Sequence, residues 1–431
     1  MKNLVSESVE ESAFSKLPTK LQETFFELAA IAASKISEIL RVEESKLKGL
    51  RGLLKFRKVP DGDVGKLRVG VVDGSISPRL SERLGLRMGV YATSYMVFDG
   101  DEIISDNDDE SMEAGYLMSP QTGSSLHTKK ILSLLCTLLE RDLALRCMKR
   151  YDVDLMLIDG SFYGFRTRCS EIKDKKFRDL GIEGVEFRGK NLEKGIDLVE
   201  EIYAKTLSLK RSGKVIGVIK RVRTAAIDGW ILSRNWSPEE TLNRNDRAIL
   251  RALMKVGEYF DYVDLLGSKW GYLHFSALKG WFNYVKKTIR DLPGSQKLSK
   301  ALEYVDNKLR LQIVTDLCPS NTTKALENEV FREVIGTRRI YVRLSPYAPP
   351  ACIEFGDKID IEWVLSYLRK ITNPATGLPF PLDLVDENIS VDRRLAMEFA
   401  DEVESRLLQN PELDADNTYG EFESINPQKA E

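Results

Sequence analysis

The sequence predicts an α/β protein, in which helices flank a mixed sheet. Two apolar, β-prone stretches, at 71–75 and 157–161, each end in Asp-Gly-Ser. Such a run is typical of a buried strand, and its glycine permits a sharp turn at the strand end. Strand-like and long helix-like segments alternate around both runs, as expected for an α/β fold. Apolar residues make up 42% of the 431 residues, which is ample for a core.

The N-terminal region is predicted to be a helical arm, covering residues 1–60. Apolar residues from Leu21 to Leu40 recur at helical spacing, which is typical of a packing or dimerisation face. A turn-rich break at 60–65 separates the arm from the main domain, predicted at 66–408. Residues 410–431 are polar and acidic without periodicity, which predicts a disordered tail.

The order of strands and helices in the main domain limits which α/β fold the chain can adopt. The pattern predicts strands at 67–73, 87–98, 102–105, 153–159 and 214–220, with helices at 126–150 and 192–210. An Asp-Gly-Asp turn signal at 99–101 joins the second and third strands. This βββαβαβ order, with Asp at the ends of the first and fourth strands, is that of a ribonuclease-H-like fold. Further on, the pattern predicts helices at 246–259, 280–292, 361–371 and 391–408, and strands at 339–344 and 352–355.

Composition excludes several classes of function. The net charge is −2, so any nucleic-acid binding must use a local basic patch. The chain has only two histidines, which argues against a multi-histidine metal site. Its five cysteines form no CxxC pair and are expected to be reduced core thiols. We find neither a signal-peptide core nor an apolar run of membrane-spanning length, and we expect a cytoplasmic protein.

Acidic residues are the leading candidates for chemistry. Asp73 and Asp159 would lie at the carboxyl rim of the sheet, where open α/β folds place their sites. Carboxylate oxygens suit Mn²⁺ or Mg²⁺. Glu140 has small, mostly apolar neighbours on its helix and would face both aspartates; alternatively, it pairs with Arg141 or Arg146. Three such acids could hold two ions about 3.5–4 Å apart for phosphoryl displacement. The competing interpretation is that Asp-Gly-Ser is only turn chemistry.

A basic stretch is the candidate DNA-binding element. Lys220, at the end of its strand, could bind the scissile phosphate, or it could belong to a solvated cluster. No acid interrupts the segment between Ile202 and Ile227, which suits a phosphate-backbone path. The candidate DNA-binding residues in it are Lys210, Arg211, Lys214, Arg221 and Arg223.

Together, these motifs resemble the NurA nucleases of archaea and some bacteria. The matching segments are Val-Asp73-Gly-Ser, Leu-Leu-Glu140-Arg-Asp, Ile-Asp159-Gly-Ser, Val-Ile-Lys220-Arg, Asn245-Asp246-Arg247 and 377–382 (GLPFPL). The resemblance covers roughly residues 66–400, and the order and spacing of the motifs carry it.

The resemblance implies a ribonuclease-H-like core, a homodimer, and Mn²⁺-dependent 5′→3′ exonuclease and single-strand endonuclease activity on DNA. It also implies a hexameric HerA translocase partner and a role in end resection for recombinational repair. After Pro-Phe-Pro-Leu the family usually has Ala-His, where this chain has Val385-Asp386. Asp386 would therefore replace a metal-binding histidine. The family's functional tyrosine could correspond to Tyr203, Tyr262 or Tyr272.

Two alternatives stay open on the sequence. The missing histidine could mark a catalytically weakened paralogue that binds DNA or the translocase without cutting. An actin-like ATPase would share the core and its Asp-Gly loops, although the chain has neither a Walker A loop nor a convincing Gly-Gly adenosine loop.

Overall fold

The computed structural model describes residues 16–83, 85–105, 108–183 and 185–410. The predicted acidic tail, apart from Asn410, lies outside the described residues. The described residues form two compact units, which divide between Leu54 and Lys55. In the first unit, helix α1 covers Thr19–Arg51 and leaves many large apolar side chains exposed, among them Phe26 and Ile31. Among the described helices, none is long and apolar enough to span a bilayer.

The second unit contains the predicted mixed sheet. The strands of the second unit are β1 (Arg57–Lys58), β2 (Arg68–Ile76), β3 (Ser81–Arg83), β4 (Leu86–Asp99), β5 (Glu102–Ile103), β6 (Met112–Pro120), β7 (Leu155–Asp159), β8 (Glu186–Phe187), β9 (Lys190–Asn191), β10 (Val215–Ile219), β11 (Glu258–Asp261), β12 (Arg338–Arg343) and β13 (Ala351–Phe355). Strands β8 and β9 pair only with each other. Its helices are α2 (Ser125–Tyr151), α3 (Gly195–Ser212), α4 (Ala226–Asn235), α5 (Asp246–Leu253), α6 (Tyr262–Leu266), α7 (Tyr272–Thr288), α8 (Gly294–Leu317), α9 (Lys324–Ile335), α10 (Ile361–Ile371), α11 (Phe380–Asn388) and α12 (Arg393–Leu408).

Within the described residues, eleven strands form one sheet, in the order β1-β11-β12-β13-β10-β7-β2-β4-β3, with β5 and β6 also paired to β4. The centre is parallel: β7 lies between β2 and β10 and runs with both. The outer pairings are antiparallel, including β2 with β4 and β10 with β13. The carboxyl ends of three adjacent strands therefore meet at one edge.

Burial explains why the central strands could be recognised. All five residues of β10, and the first four of β7, are buried. Helix α2 is also buried on nearly all sides between Ile131 and Ala144. Strands that helices cover on both faces have continuous runs of apolar residues in their sequence. All five cysteines are buried and free.

The prediction of a ribonuclease-H-like mixed sheet flanked by helices is confirmed, but several elements differ. The third strand that pairs along β4 is β6, whereas the predicted strand at 102–105 is only the two-residue β5. The segment 246–259 is not one helix, because α5 ends at Leu253 and β11 begins at Glu258. The predicted helix at 280–292 instead begins at Tyr272. Helices α8 and α9 were not predicted at all.

Candidate metal centre

Three carboxylates converge at the carboxyl edge of the parallel strands. They belong to Asp73, Asp159 and Asp386, and one oxygen from each lies within 4.8 Å of the others. The first side chain is buried, the second is half-buried and the third is exposed. The cluster is therefore buried at Asp73 and open to solvent at Asp386. Such an arrangement can hold a cation while leaving room for a substrate.

Strand register brings the first two acids together. Val72 pairs with Ile158 across β2 and β7, so Asp73 and Asp159 follow on adjacent strands. Asp159 ends β7, and the chain turns at Gly160, whose φ of +93° favours glycine. The third acid comes from α11, more than 200 residues further along the chain.

Lys220 follows directly after β10 and meets all three carboxylates. Its Nζ lies 3.1 Å from Asp73 Oδ2, 3.2 Å from Asp159 Oδ2 and 2.9 Å from Asp386 Oδ1. The backbone carbonyl of Lys220 accepts a hydrogen bond from Arg247, which anchors the residue. The ammonium thus marks where positive charge is stabilised in this fold.

Glu140 lies beside this cluster, as the sequence predicted, although it is not one of the three converging carboxylates. A Cβ added to Gly74 would lie 2.5 Å from Glu140 Oε1 and 2.6 Å from Cys136 Sγ. Glycine at position 74 therefore lets the Glu140 carboxyl lie directly against β2. The alternative pairing of Glu140 with Arg141 or Arg146 is not formed as an ion pair in the described structure, because Arg146 binds Glu113 and Asp142, and Arg141 donates a hydrogen bond to the Ser161 carbonyl.

Burial and mutual repulsion perturb the acids. Burial, followed by the charge of Asp159, raises the pKa of Asp73 to about 9. Burial also raises the pKa of Asp159, and it raises that of Glu140 to about 7. Burial acts to raise the pKa of Asp386 as well, but the hydrogen bond that Lys220 donates to its carboxylate lowers the pKa overall. A group of carboxyls that resists ionisation in this way is stabilised by a divalent cation.

We expect the metal-free protein to lose stability as pH rises from about 4 to 9. The folded state holds a proton on Asp73 that the unfolded chain has released, so unfolding releases protons and alkaline pH favours it. Thermal unfolding in chelator across this range measures the effect. The variant Asp73→Asn should show a shallower fall in Tm with pH, and a slope equal to that of wild type would contradict the assignment.

A second group of buried residues supports the turn after Asp159. Glu354, on β13, accepts hydrogen bonds from Ser161 Oγ at 2.7 Å and from the Phe162 backbone N–H at 2.9 Å. Its other oxygen accepts from Tyr272 at 3.2 Å and from the Arg339 guanidinium. The Asp-Gly-Ser turn is therefore fixed by a buried ion pair.

The predicted DNA-binding residues divide into two groups. Lys210 and Arg211 bind Glu333, and Lys214 binds Asp152. These three cations are already paired with carboxylates, which argues against the prediction of one continuous basic path. In contrast, Arg221 and Arg223 are exposed and line a cavity beside the cluster.

The three candidate tyrosines do not reach the acid cluster. Tyr262 donates a hydrogen bond to Asp246, and Tyr272 donates one to Glu354. Tyr203 packs against Tyr163. Sequence reasoning missed Glu354, which lies in an ordinary apolar strand. The Asn245-Asp246-Arg247 segment, noted in the sequence, contains Arg247, which donates the hydrogen bond to the Lys220 carbonyl.

Comparison with known proteins assigns the chain to a family. A family profile described as the NurA domain matches residues 67–391, which is most of the chain. The chain belongs to the NurA family. No curated protein matches it. Within the family match lie all the cluster acids of this NurA-family chain, together with Lys220.

Solved structures agree on the fold. The crystal structure of the NurA nuclease from Sulfolobus solfataricus is 13% identical to this NurA chain, with a TM-score of 0.51, over 92% of this chain and 99% of the other. A crystal structure of NurA with manganese is 12% identical, with a TM-score of 0.43, over 90% and 99% of the two chains. At these identities the first similarity establishes a shared fold only, and the second is too distant for an inference.

Proposed function

We propose that this chain is a metal-dependent DNA nuclease that hydrolyses phosphodiester bonds. The observation that carries the proposal is the convergence of Asp73, Asp159 and Asp386 around the ammonium of Lys220. Carboxylate oxygens are the ligands that Mg²⁺ and Mn²⁺ prefer. Membership in the NurA family supports the same conclusion.

In this proposal the cluster acids hold the divalent ion. A bound ion would polarise the scissile phosphate and lower the pKa of an attacking water. The chain's own groups would do the remaining work. Lys220 would release the carboxylates and bind a phosphate oxygen, stabilising the charge that develops there. Glu140, with a pKa of about 7, could accept a proton near neutral pH.

The finer parts of the proposal follow the family resemblance. They are a preference for Mn²⁺, 5′→3′ exonuclease and single-strand endonuclease action, and a cytoplasmic role in end resection with a HerA-type translocase. A homodimer is also proposed. The exposed apolar side chains of α1, including Leu28 and Ile31, support a contact with a second protein chain.

The direct test is cleavage of 5′-labelled and 3′-labelled single-stranded DNA with Mn²⁺, Mg²⁺ or chelator. Metal-dependent digestion is expected, and the pattern of labelled products gives its polarity. Failure to cut under any condition, with the translocase present as well as absent, would refute the nuclease. An observation that favours the weakened paralogue is the exposure of Asp386 at the position of the usual histidine. Calorimetric titration with Mn²⁺ separates the two, because the paralogue would bind metal weakly.

The residue at position 386 should set the metal preference. Carboxylates suit Mg²⁺ and Mn²⁺ alike, whereas an imidazole favours the transition metal. We expect Asp386→His to raise the ratio of Mn²⁺-supported to Mg²⁺-supported cleavage by about tenfold, equivalent to roughly 1.4 kcal/mol. The adjacent exposed Glu387 provides the control variant Glu387→His, which should leave the ratio unchanged. An unchanged ratio in Asp386→His would remove position 386 from the metal site.

A further inference from the structure

A cavity of about 710 Å³ opens beside the metal centre and is rich in arginine. Its walls come from the 3-10 turn Gly164–Arg168, the segment after β10, the start of α7 and the end of α9. We call it the arginine cavity, after the exposed Arg168, Arg221 and Arg223. Its volume is within the range of about 300–1,000 Å³ usual for small-ligand sites.

These three arginines have no ion pair within the part of the chain that the structure describes. Two other arginines in the walls are compensated, since Arg166 binds Asp316 at 2.7 Å and Arg339 binds Glu354. Glu354 is the only acid in the lining, and its charge is already matched. The arginine cavity therefore carries a net positive charge that no described carboxylate offsets.

Two segments of the chain link the arginine cavity to the metal centre. Ser161, in its wall, lies two residues after Asp159, and Arg221 directly follows Lys220. The charge of Arg168 also acts on the Glu140 carboxyl, where it opposes the effect of burial on the pKa. A chain of phosphates with one member at the acid cluster would thus have its neighbours within reach of these guanidinium groups.

We propose that the arginine cavity holds the backbone of an unpaired DNA strand, next to the phosphate that is cut. This inference rests on the proposed nuclease function and deepens it. Each guanidinium can bind a phosphate through two parallel hydrogen bonds. Like-charged side chains that line one cavity repel each other, and an anionic strand relieves that repulsion. The volume of the cavity, about 710 Å³, suits a short piece of one strand better than a double helix.

The test measures binding without catalysis. Fluorescence anisotropy of a labelled 12-nucleotide single-stranded DNA, in chelator, compares wild type with Arg168→Ala/Arg223→Ala. The control Lys287→Ala/Arg290→Ala removes the same charge from exposed positions on and just after α7, outside the cavity. We expect the cavity variant to lose at least about tenfold in affinity, and its salt dependence to fall by about 1.4 in log–log slope, for two lost contacts at about 0.7 each. The control should stay within about twofold of wild type.

Three results would overturn the proposal: unchanged affinity in the cavity variant, an equal loss in the control, or an equal loss for blunt duplex DNA. Mn²⁺ binding by calorimetry should be the same in the cavity variant and wild type, which shows that the metal centre is intact; a parallel loss of metal binding would also count against it. Because binding is measured in chelator, failure of the nuclease assay and failure of the cavity are separate results.

Discussion

Asp159→Asn is expected to abolish metal-dependent DNA cleavage, with a loss of at least about a thousandfold. The substitution keeps the shape of the side chain but removes one of the three converging carboxyl groups that would bind the metal ion. Metal-assisted stabilisation of a phosphoryl transition state contributes several kcal/mol, and each 1.36 kcal/mol corresponds to about a factor of ten in rate. Initial rates on labelled single-stranded DNA at saturating Mn²⁺ measure the effect.

Folding should survive this substitution. Burial raises the pKa of Asp73 and Asp159, and the charge of Asp159 raises that of Asp73 further, so replacing Asp159 relieves repulsion in the metal-free protein. The Tm of Asp159→Asn in chelator should equal or exceed that of wild type. The matched control is Asp154→Asn, at the opposite, exposed end of the same strand segment, where an amide oxygen can still accept from the Arg68 N–H. Cleavage by Asp159→Asn within tenfold of wild type would remove this residue from the proposed mechanism.

Glu354→Ala is expected to destabilise the fold by about 3–5 kcal/mol, because it leaves the buried guanidinium of Arg339 without its carboxylate. Both side chains are at most 9% exposed, so water cannot readily replace the lost partner. The Ser161 hydroxyl and the Phe162 N–H lose their acceptor as well. Denaturant unfolding in chelator gives the free energy directly.

A double substitution separates the loss of the pair from general damage to the core. Replacing both members of a buried ion pair with apolar residues is often neutral. Glu354→Met/Arg339→Met should therefore recover much of the stability that Glu354→Ala loses. Glu362→Ala, at an exposed position in the first turn of α10, is the control and should change stability by no more than about 0.5 kcal/mol. A loss of less than about 1 kcal/mol in Glu354→Ala would show that the Arg339–Glu354 contact contributes little to stability.

The parts of the fold that were predicted correctly share a physical cause. Strands β2, β7 and β10 are buried on both faces, so each requires consecutive apolar residues that can be read directly. Helix α2 is long and ends in a left-handed residue, Asp152, close to its predicted boundary. Helices α8 and α9 were missed, although each buries apolar residues at helical spacing, Leu302, Val305 and Leu309 in α8 and Val330, Phe331 and Val334 in α9.

By itself, the sequence determined that Asp159 ends a buried strand and that Lys220 directly follows another. Local chemistry suffices there, because an apolar run followed by a polar residue and a turn defines a strand end. Asp73 was also predicted to end its strand, but that prediction was wrong, because β2 continues to Ile76 through its pairing with β4. Only the tertiary structure decided which cations remain free for a ligand. Lys210, Arg211 and Lys214 belong to the same basic stretch as Arg221 and Arg223, yet distant acids neutralise the first three. Glu333 and Asp152 lie far from these cations in sequence, so only folding brings opposite charges within bonding distance.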